Sequence, residues 1–315
     1  MTNLDHSLTQ GYVHRHVPPN SQVDIDIALL DIAQDFILSH LHDAGYFDGL
    51  VVFKGRTALR KLFAGMEGRF STDLDFVLFD RTEDPDEIGH VIADELDTSL
   101  GPFDLSPEKK RGRWSITVSS EFGEPGISIK LDVGPPCWLE PVEQSYVDMP
   151  IHKRYDWTLP AIPCMRLEEL VSEKIARLNR SASARDAWDL VWIATTSPFS
   201  KFDRDLVREI TTLKIWVDNN GMGPAWDPSL SPKPFHPDRW LSAREDWDKQ
   251  KIGLLTREPP PIDQLEEDLF QYYSWLKELT SDQETFAEAN EGDRSNVLKA
   301  ISNLKNGRLK QEDLW

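Results

Sequence analysis

Arg69-Phe70-Ser71-Thr72-Asp73-Leu74-Asp75-Phe76 decides how this chain is read. Leu74, Phe76 and Leu78 alternate with Asp73, Asp75 and Val77, the period of a strand with two different faces. Side chains at i and i+2 of a strand lie on one side, roughly 6.5 to 7 Å apart along it. Asp73 and Asp75 therefore project together, and the apolar set anchors the opposite face. Two adjacent carboxylates repel, and each raises the other's pKa unless a cation joins them. A pair of Mg²⁺ ions about 3.5 to 4 Å apart relieves that repulsion and aligns an in-line phosphoryl displacement. Taken alone, D-x-D more often marks an edge strand with two solvated aspartates.

The neighbouring segments change that balance. Lys54-Gly55-Arg56-Thr57 follows the apolar run from Leu50 to Phe53, a buried strand, and precedes a short helix over Thr57 to Phe63. Glycine there lets a phosphate approach the backbone, and a helix start offers N–H groups to an anion, although a simple turn fits as well. Further on, Ile127, Ile129, Leu131 and Val133 alternate with Ser128, Lys130 and Asp132 until Gly134-Pro135-Pro136 stops the strand. Asp132 is a third carboxylate that could complete a two-metal site, or simply a surface residue at a strand end. Lys130 shares its face and could contact a phosphate or pair with an aspartate. Lys174 falls on the apolar stripe of Leu167, Leu170, Val171, Ile175 and Leu178. An ammonium there must snorkel or meet an anion, of which a triphosphate is one. Asp186, at the start of the next helix, could cap it or hold a basic residue in place.

The rest of the chain frames an α+β protein. Residues 1–22, with Pro18 and Pro19, read as a flexible arm. Residues 23–162 read as a mixed sheet with helices: a helix from Asp24 to about His42, a second from Glu83 to Leu100, and a weak strand from Trp114 to Val118. Residues 163–315 read as a mostly helical domain, with Leu167 to Leu178, Asp186 to Ile193, Leu265 to Leu279 and Asn296 to Leu304 helical. The stretch 221–262 is crowded with Pro, Trp and Gly and is expected to be irregular. Trp216, Trp226, Trp240 and Trp247 fit core packing or a partner interface better than base stacking. Cys137 and Cys164 are too few for a disulfide scaffold and lack metal-ligand spacing, and His40 and His42 do not share a helix face.

No apolar run is long enough to cross a bilayer, and the polar start MTNLDHSLTQGYVHRH lacks the apolar core of a secretory signal, so the expectation is cytoplasmic. A formal net charge of -19 opposes broad, non-specific binding of nucleic acid, which relies on Lys and Arg neutralising phosphates. A local patch remains open, and Lys109, Lys110, Arg111 and Arg113 form the candidate cluster.

Together these motifs resemble the AbiEii/AbiGii group of nucleotidyltransferases, the toxin halves of AbiE-type toxin–antitoxin pairs that include the MenT toxins. The resemblance rests on Phe53 to Arg60, Arg69 to Phe76, Lys130-Leu131-Asp132-Val133, Glu173-Lys174-Ile175-Ala176 and Arg185 to Leu190, in that order. It implies a polymerase-β-like nucleotidyltransferase core. Asp73 and Asp75 are implied as Mg²⁺ ligands, and Asp132 or Asp186 either completes a two-metal site or orients the nucleophile. Lys174 is implied as a nucleotide-phosphate contact, with Ser71 beside the aspartates, and Gly55, Arg56, Thr57, Arg69 and Lys130 are expected to join them in binding the nucleotide. Lys174 and Asp186 join the aspartates in the catalytic set. An NTP is the implied donor, a tRNA 3′ end the implied acceptor, and a cognate antitoxin the implied partner. The family commonly has a small residue where this chain has Arg56, so the guanidinium either crowds the triphosphate or grips it bidentately. Two other readings stand beside this one. The acceptor could be a small molecule or a protein hydroxyl, which suits an acidic surface. Alternatively the chain could be an inert interaction module, for which Arg56 speaks and the clustered carboxylates speak against.

Overall fold

The computed structural model describes residues 8–155, 157–180, 183–196, 202–220 and 247–310. The chain divides into two compact units, one of Met1–Pro136, Pro141–Cys164 and Asp248–Pro259, the other of Cys137–Glu140, Met165–Trp247 and Pro260–Trp315. A single cut near residue 162 misses two excursions: 137–140 goes to the second unit and 248–259 returns to the first.

The first unit is built on an eight-stranded mixed sheet. Its strands are β1 (Val51–Lys54), β2 (Asp73–Leu78), β3 (Ser99–Leu100), β4 (Phe103–Lys110), β5 (Arg113–Ser120), β6 (Ile129–Gly134), β7 (Val142–Gln144) and β8 (Ile162–Cys164). They lie in the order β3-β4-β5-β6-β2-β1-β8-β7. β2 runs parallel to β6 and β1 to β8, and the other pairs are antiparallel. In β2, β5 and β6 buried apolar residues recur at alternate positions, Leu74 and Phe76, Ile116 and Val118, Ile129 and Leu131, so one face of the sheet is a core face. That face is covered at β5 and β6 by helix α4 (Pro85–Glu95), where a Cβ on Gly89 would sit within 4 Å of Trp114 and Val133. Asp84 caps α4 by accepting from the N–H groups of Asp86 and Glu87, and Pro85 sits where no N–H is needed. The helix expected to run to Leu100 stops at Glu95, and β3 follows.

Helix α2 (Ile25–Asp43) is capped by Asp24 and buried almost all round, with Asp31, Gln34 and Asp35 among its buried residues. The expected arm is ordered from Leu8 onward. Helix α1 (Gln10–His16) buries Val13 and His16, and His16 Nε2 lies 2.7 Å from Asp31 Oδ2. A buried partner for His16 is what turns a Pro-containing polar lead into a docked helix; residues 1–7 lie outside the described residues. The short helix after β1 starts at Gly55 (α3, Gly55–Ala58) and continues as a π-helical turn over Leu59–Ala64, which faces both Arg60 and Lys61 inward. Phe70, Val23, Ile27 and Leu254 form a small core, and the Phe70 N–H donates to the Leu254 carbonyl at 2.8 Å.

The second unit is helical among its described residues: α5 (Leu167–Arg180), α6 (Ala184–Thr195) and α7 (Arg204–Asn219), then helices Ile262–Tyr273, Ser281–Ala287 and Arg294–Ser302. Buried Glu169 accepts from the N–H groups of Trp138 and Leu139 and from Lys214, which fastens 137–140 into this unit. Trp216 is fully buried and donates to the Asn290 carbonyl at 3.0 Å, so it is a core residue. Trp226, Trp240 and the irregular structure expected over 221–246 lie outside the described residues. No helix among the described residues is long and apolar enough to cross a membrane.

Candidate active site

Strand register assembles the site. In the parallel β2–β6 pair, Asp73 lies beside Lys130 and Asp75 beside Asp132. In the antiparallel β1–β2 pair, Lys54 lies beside Asp75. In β5–β6, Ser115 lies beside Lys130. Residues side by side in a sheet point to the same face. Lys54, Asp73, Asp75, Lys130, Asp132 and Ser115 therefore share the face opposite α4, while Leu74, Phe76 and Leu131 fill the core face.

Gly55 closes over this row. Its φ is +79°, and a Cβ placed there would lie 2.1 Å from Asp75 Oδ2. Both facts exclude a side chain, so the backbone sits directly against the carboxylate. Arg56 follows, and its Nη2 donates to Asp73 Oδ2 at 3.3 Å. The Thr57 hydroxyl is buried and donates to the Asp73 carbonyl. This tie occupies the Thr57 side chain within the fold.

The chain leading into β2 is held as firmly. Ser71 lies just before the strand, not in it; its Oγ accepts from the Asp73 N–H at 3.3 Å, and its carbonyl accepts from buried Gln34 Nε2 at 3.0 Å. Arg69 is buried and donates to the Phe70 carbonyl at 3.3 Å.

The electrostatics of the row are unbalanced. Asp75 is pushed up to about 6, first by burial and then by Asp73, against the opposing pull of Lys54 and Arg56, with Asp132 raising it further. At neutral pH the group is largely ionised, with burial and Asp73 disfavouring its charge. Among the described residues no group of three or more His, Cys, Asp and Glu side chains is gathered closely enough to hold a metal ion. The expected three-carboxylate cage is thus not preformed, although register brings its members to one face. The residues fit Mg²⁺ in a different manner. This ion is commonly held by one or two carboxylates, with waters and substrate phosphates completing an oxygen shell, and Asp73 and Asp75 on one face supply such a pair.

Lys174 and Asp186 belong to the second unit. Lys174 Nζ donates to Asp189 Oδ2 at 2.7 Å and lies 3.8 Å from Asp186 Oδ1, and Asp186 Oδ2 lies 3.3 Å from Arg177 Nε. The ammonium is buried and answered by carboxylates; it does not snorkel. Asp189 and Arg177 complete a charge group in which sequence spacing singled out only Lys174 and Asp186.

The basic cluster divides across the sheet. Arg113 and Lys110 are paired across the β4–β5 hairpin, and strand alternation puts both on the carboxylate face, since Arg113 is two residues from Ser115. Lys110 is paired there with Glu108 at 2.7 Å. Lys109 stands on the other face over the Trp114 ring, 5.7 Å from its centroid.

Sequence reasoning missed a second charged cluster in this unit, and all of it is buried. Asp31 Oδ1 accepts from Arg60 Nε at 2.9 Å. Lys61 Nζ donates to Asp35 Oδ1 at 2.6 Å and to the Asp31 carbonyl at 2.7 Å. The Tyr155 hydroxyl donates to Asp35 Oδ2 at 2.7 Å. Arg60 also lies 3.6 Å over the Phe70 ring and donates to the Gly65 and Gly68 carbonyls, bracing the loop that leads to β2. Burial alone would raise both carboxyls, but Arg60 and Lys61 hold Asp31 well below its ordinary value, and Lys61 holds Asp35 below its own. The available signal was Asp31 and Asp35, one helical turn apart among the apolar residues of α2.

Comparison with known proteins gives this geometry a context. A family model described as nucleotidyl transferase AbiEii toxin, type IV TA system, matches residues 37–276. Among solved structures the chain is similar to MenT4, a nucleotidyltransferase toxin from Mycobacterium tuberculosis H37Rv, with 33% sequence identity, a TM-score of 0.81, and coverage of 95% of this chain and 99% of that one. No curated protein sequence matches.

Proposed function

The chain belongs to the AbiEii family of nucleotidyltransferase toxins of type IV toxin–antitoxin systems, and from that premise we propose that it transfers a nucleotide from an NTP to the 3′ hydroxyl of a tRNA with Mg²⁺ at Asp73 and Asp75. It is a nucleotidyltransferase, and membership implies a nucleotide substrate and a cognate antitoxin. The observation that carries the finer reading is the pair Asp73 and Asp75 on one sheet face, with Asp75 set against the Gly55 backbone and its charge disfavoured by burial and by Asp73.

In this reading Asp73 and Asp75 hold Mg²⁺, which when bound neutralises phosphate charge and polarises the reacting phosphorus. Gly55 and Arg56 receive the triphosphate, Gly55 by letting it close on the backbone and Arg56 through its fork of donors. Thr57, Ser71 and Arg69 hold the backbone around Asp73 in place. Asp132 orients the acceptor hydroxyl and takes up its proton as the oxygen attacks the α-phosphorus, the bond from that phosphorus to the bridging oxygen breaks, and pyrophosphate leaves. Lys130 offsets the charge of the incoming phosphates. The protein's contribution is positioning and charge compensation in place of covalent chemistry. Lys174 and Asp186 enter the nucleotide-handling set through the family likeness, from a cluster that is charge-matched on its own.

An RNA acceptor gains support from Arg113 and Lys110, which bring positive charge to the carboxylate face of an acidic protein. The experiment is incubation of the purified protein with each labelled NTP, Mg²⁺ and total tRNA. Label on tRNA that disappears with Asp73→Ala and Asp75→Ala is the expected result. Label that persists in either variant removes that aspartate from the metal site, and label found only on a non-RNA acceptor removes the tRNA.

A further inference from the structure

We infer that the acceptor crosses β4 and β5 on the carboxylate face, where Arg113, with Lys110 behind it, holds the phosphate that links the last two nucleotides of an RNA chain. The inference rests on the reading of Asp73, Asp75 and Asp132 as the centre of nucleotidyl transfer, and it assigns the two substrates to opposite sides of that centre.

Strand register leads to it. Asp75 lies beside Asp132 across β2–β6, and Lys110 beside Arg113 across β4–β5. The β5–β6 register pairs Ser115 with Lys130 and Trp114 with Leu131, and one residue further it sets Arg113 opposite Asp132. Asp75, Asp132, Arg113 and Lys110 thus form one row across the sheet, running from negative to positive. Neighbouring strands are about 4.8 Å apart, so Arg113 starts one strand away from Asp132, and Lys110 one strand beyond that. Asp132, Arg113 and Lys110 are exposed, as are Ser106, Thr117 and Lys130 on the same face, so this part of the face is open. The two basic residues are also fixed in place. They flank the turn Arg111-Gly112, whose φ values of +51° and +79° suit a tight hairpin at the end of a continuous ladder.

The direction of the chemistry assigns each end of the row. The acceptor oxygen bonds to the α-phosphorus while the bond from that phosphorus to the bridging oxygen breaks on the opposite side, and Asp132 takes the hydroxyl proton. Nucleophile and leaving group therefore lie toward opposite ends of the row. Gly55 and Arg56 stand against Asp75 and Asp73 on the β1 side, which is the side of the triphosphate. The positive charge beyond Asp132 has no pyrophosphate to neutralise. It faces whatever carries the attacking hydroxyl, and a guanidinium fork there matches the oxygens of a phosphodiester. An acceptor without a phosphate next to its hydroxyl gains nothing from it.

The test uses the tRNA that takes most label from a total pool, rebuilt with a neutral methylphosphonate in place of its last phosphodiester or of one several linkages further in. The sugar before each such linkage is 2′-deoxy in probe and control alike. Transfer from a labelled NTP with Mg²⁺ is followed as kcat/KM for each RNA, on the full chain. In the parent protein the neutral last linkage should lower kcat/KM about tenfold, and the inner one much less. Arg113→Ala should lose about tenfold on the unmodified tRNA with KM for the NTP unchanged, and should lose little more on the neutral last linkage, because the contact is already gone. Arg113→Lys keeps the charge without the fork and should lose less than Arg113→Ala. A neutral last linkage that costs Arg113→Ala as much as it costs the parent, or an Arg113→Ala effect that falls on KM for the NTP, overturns the inference and leaves the transfer reading standing. A parent protein that labels no tRNA overturns both.

Discussion

The first unit contains two groups of carboxylates with opposite electrostatic fates. Asp31 and Asp35 are fully buried, yet Arg60 and Lys61 keep them ionised and their pKa values low. Asp75 is raised to about 6, first by burial and then by Asp73, because Lys54 and Arg56 only partly offset the two. Burial by itself does not set the outcome; the match of counter-charge does. The matched group behaves as framework, because taking out one partner leaves a charge with nowhere to go. The row around Asp75 keeps a carboxyl whose charge burial disfavours, and in the proposed reading an incoming cation would relieve it. Arg60 connects the two, since it pairs with Asp31 while bracing the Gly65 and Gly68 carbonyls on the way to β2.

This contrast can be broken most severely at Lys61. Lys61→Met leaves Asp35 buried without its ammonium partner, and the expected cost is about 3–5 kcal/mol of folding stability. Chemical denaturation measures it, and a loss below about 1 kcal/mol would show that the buried group does not act as framework. The next largest effect belongs to Asp75→Asn, which should lower the rate of nucleotidyl transfer by about 10²–10³-fold. The same variant should gain stability, by about 1 kcal/mol at pH 7.5 in EDTA, because the repulsion disappears with the charge. Gain and loss in one protein sharpen the comparison. A variant that is both inactive and less stable would place Asp75 with the framework.

The pH dependence follows from the signs. Asp75 has a folded pKa of about 6, above the ordinary 3.8, so the folded protein holds the extra proton between those values. Stability owed to that proton is present at low pH and lost as pH rises through about 6. The stability advantage of Asp75→Asn should therefore grow from pH 4 to pH 7 and then level off, as followed by thermal melts. Asp31 and Asp35 have the opposite sign: their contribution is present above the ordinary 3.8 and is lost as pH falls below it. The smallest expected effect lies on the hairpin. Replacing Lys110 and Arg113 by Ala should flatten the salt dependence of tRNA binding by roughly one slope unit per lost phosphate contact, while Lys109→Ala leaves it unchanged. Equal effects at Lys109 would remove the facial division as its cause.

The carboxylate strand was legible because a period of two is unambiguous when one face is apolar. Asp73, Asp75, Lys130 and Asp132 could be assigned to faces from alternation alone, and register then joined them. The buried group was not legible, because its cations come from a π-helical turn. With a changed number of residues per turn, the spacing of Arg60 and Lys61 does not reveal that both turn inward. β4 escaped because Pro107 interrupts its pattern. The strand tolerates Pro107 where it lies beyond the two-residue β3, with no strand paired on that side among the described residues. The helix α7 was overlooked although Asp203 caps it by accepting from the Leu206 N–H at 3.2 Å. The passage of 248–259 back to the first unit has no local signature at all, because it depends on contacts made far along the chain.

That return has a consequence for synthesis. The Phe70 amide, three residues before Asp73, finds its acceptor in the Leu254 carbonyl, and Phe70 and Leu254 share one small core. A growing chain carries Asp73 out of the ribosome long before Leu254 is made. The approach to β2 stays unfinished until Leu254 has been made, so the strand that carries Asp73 gains its last support late in synthesis.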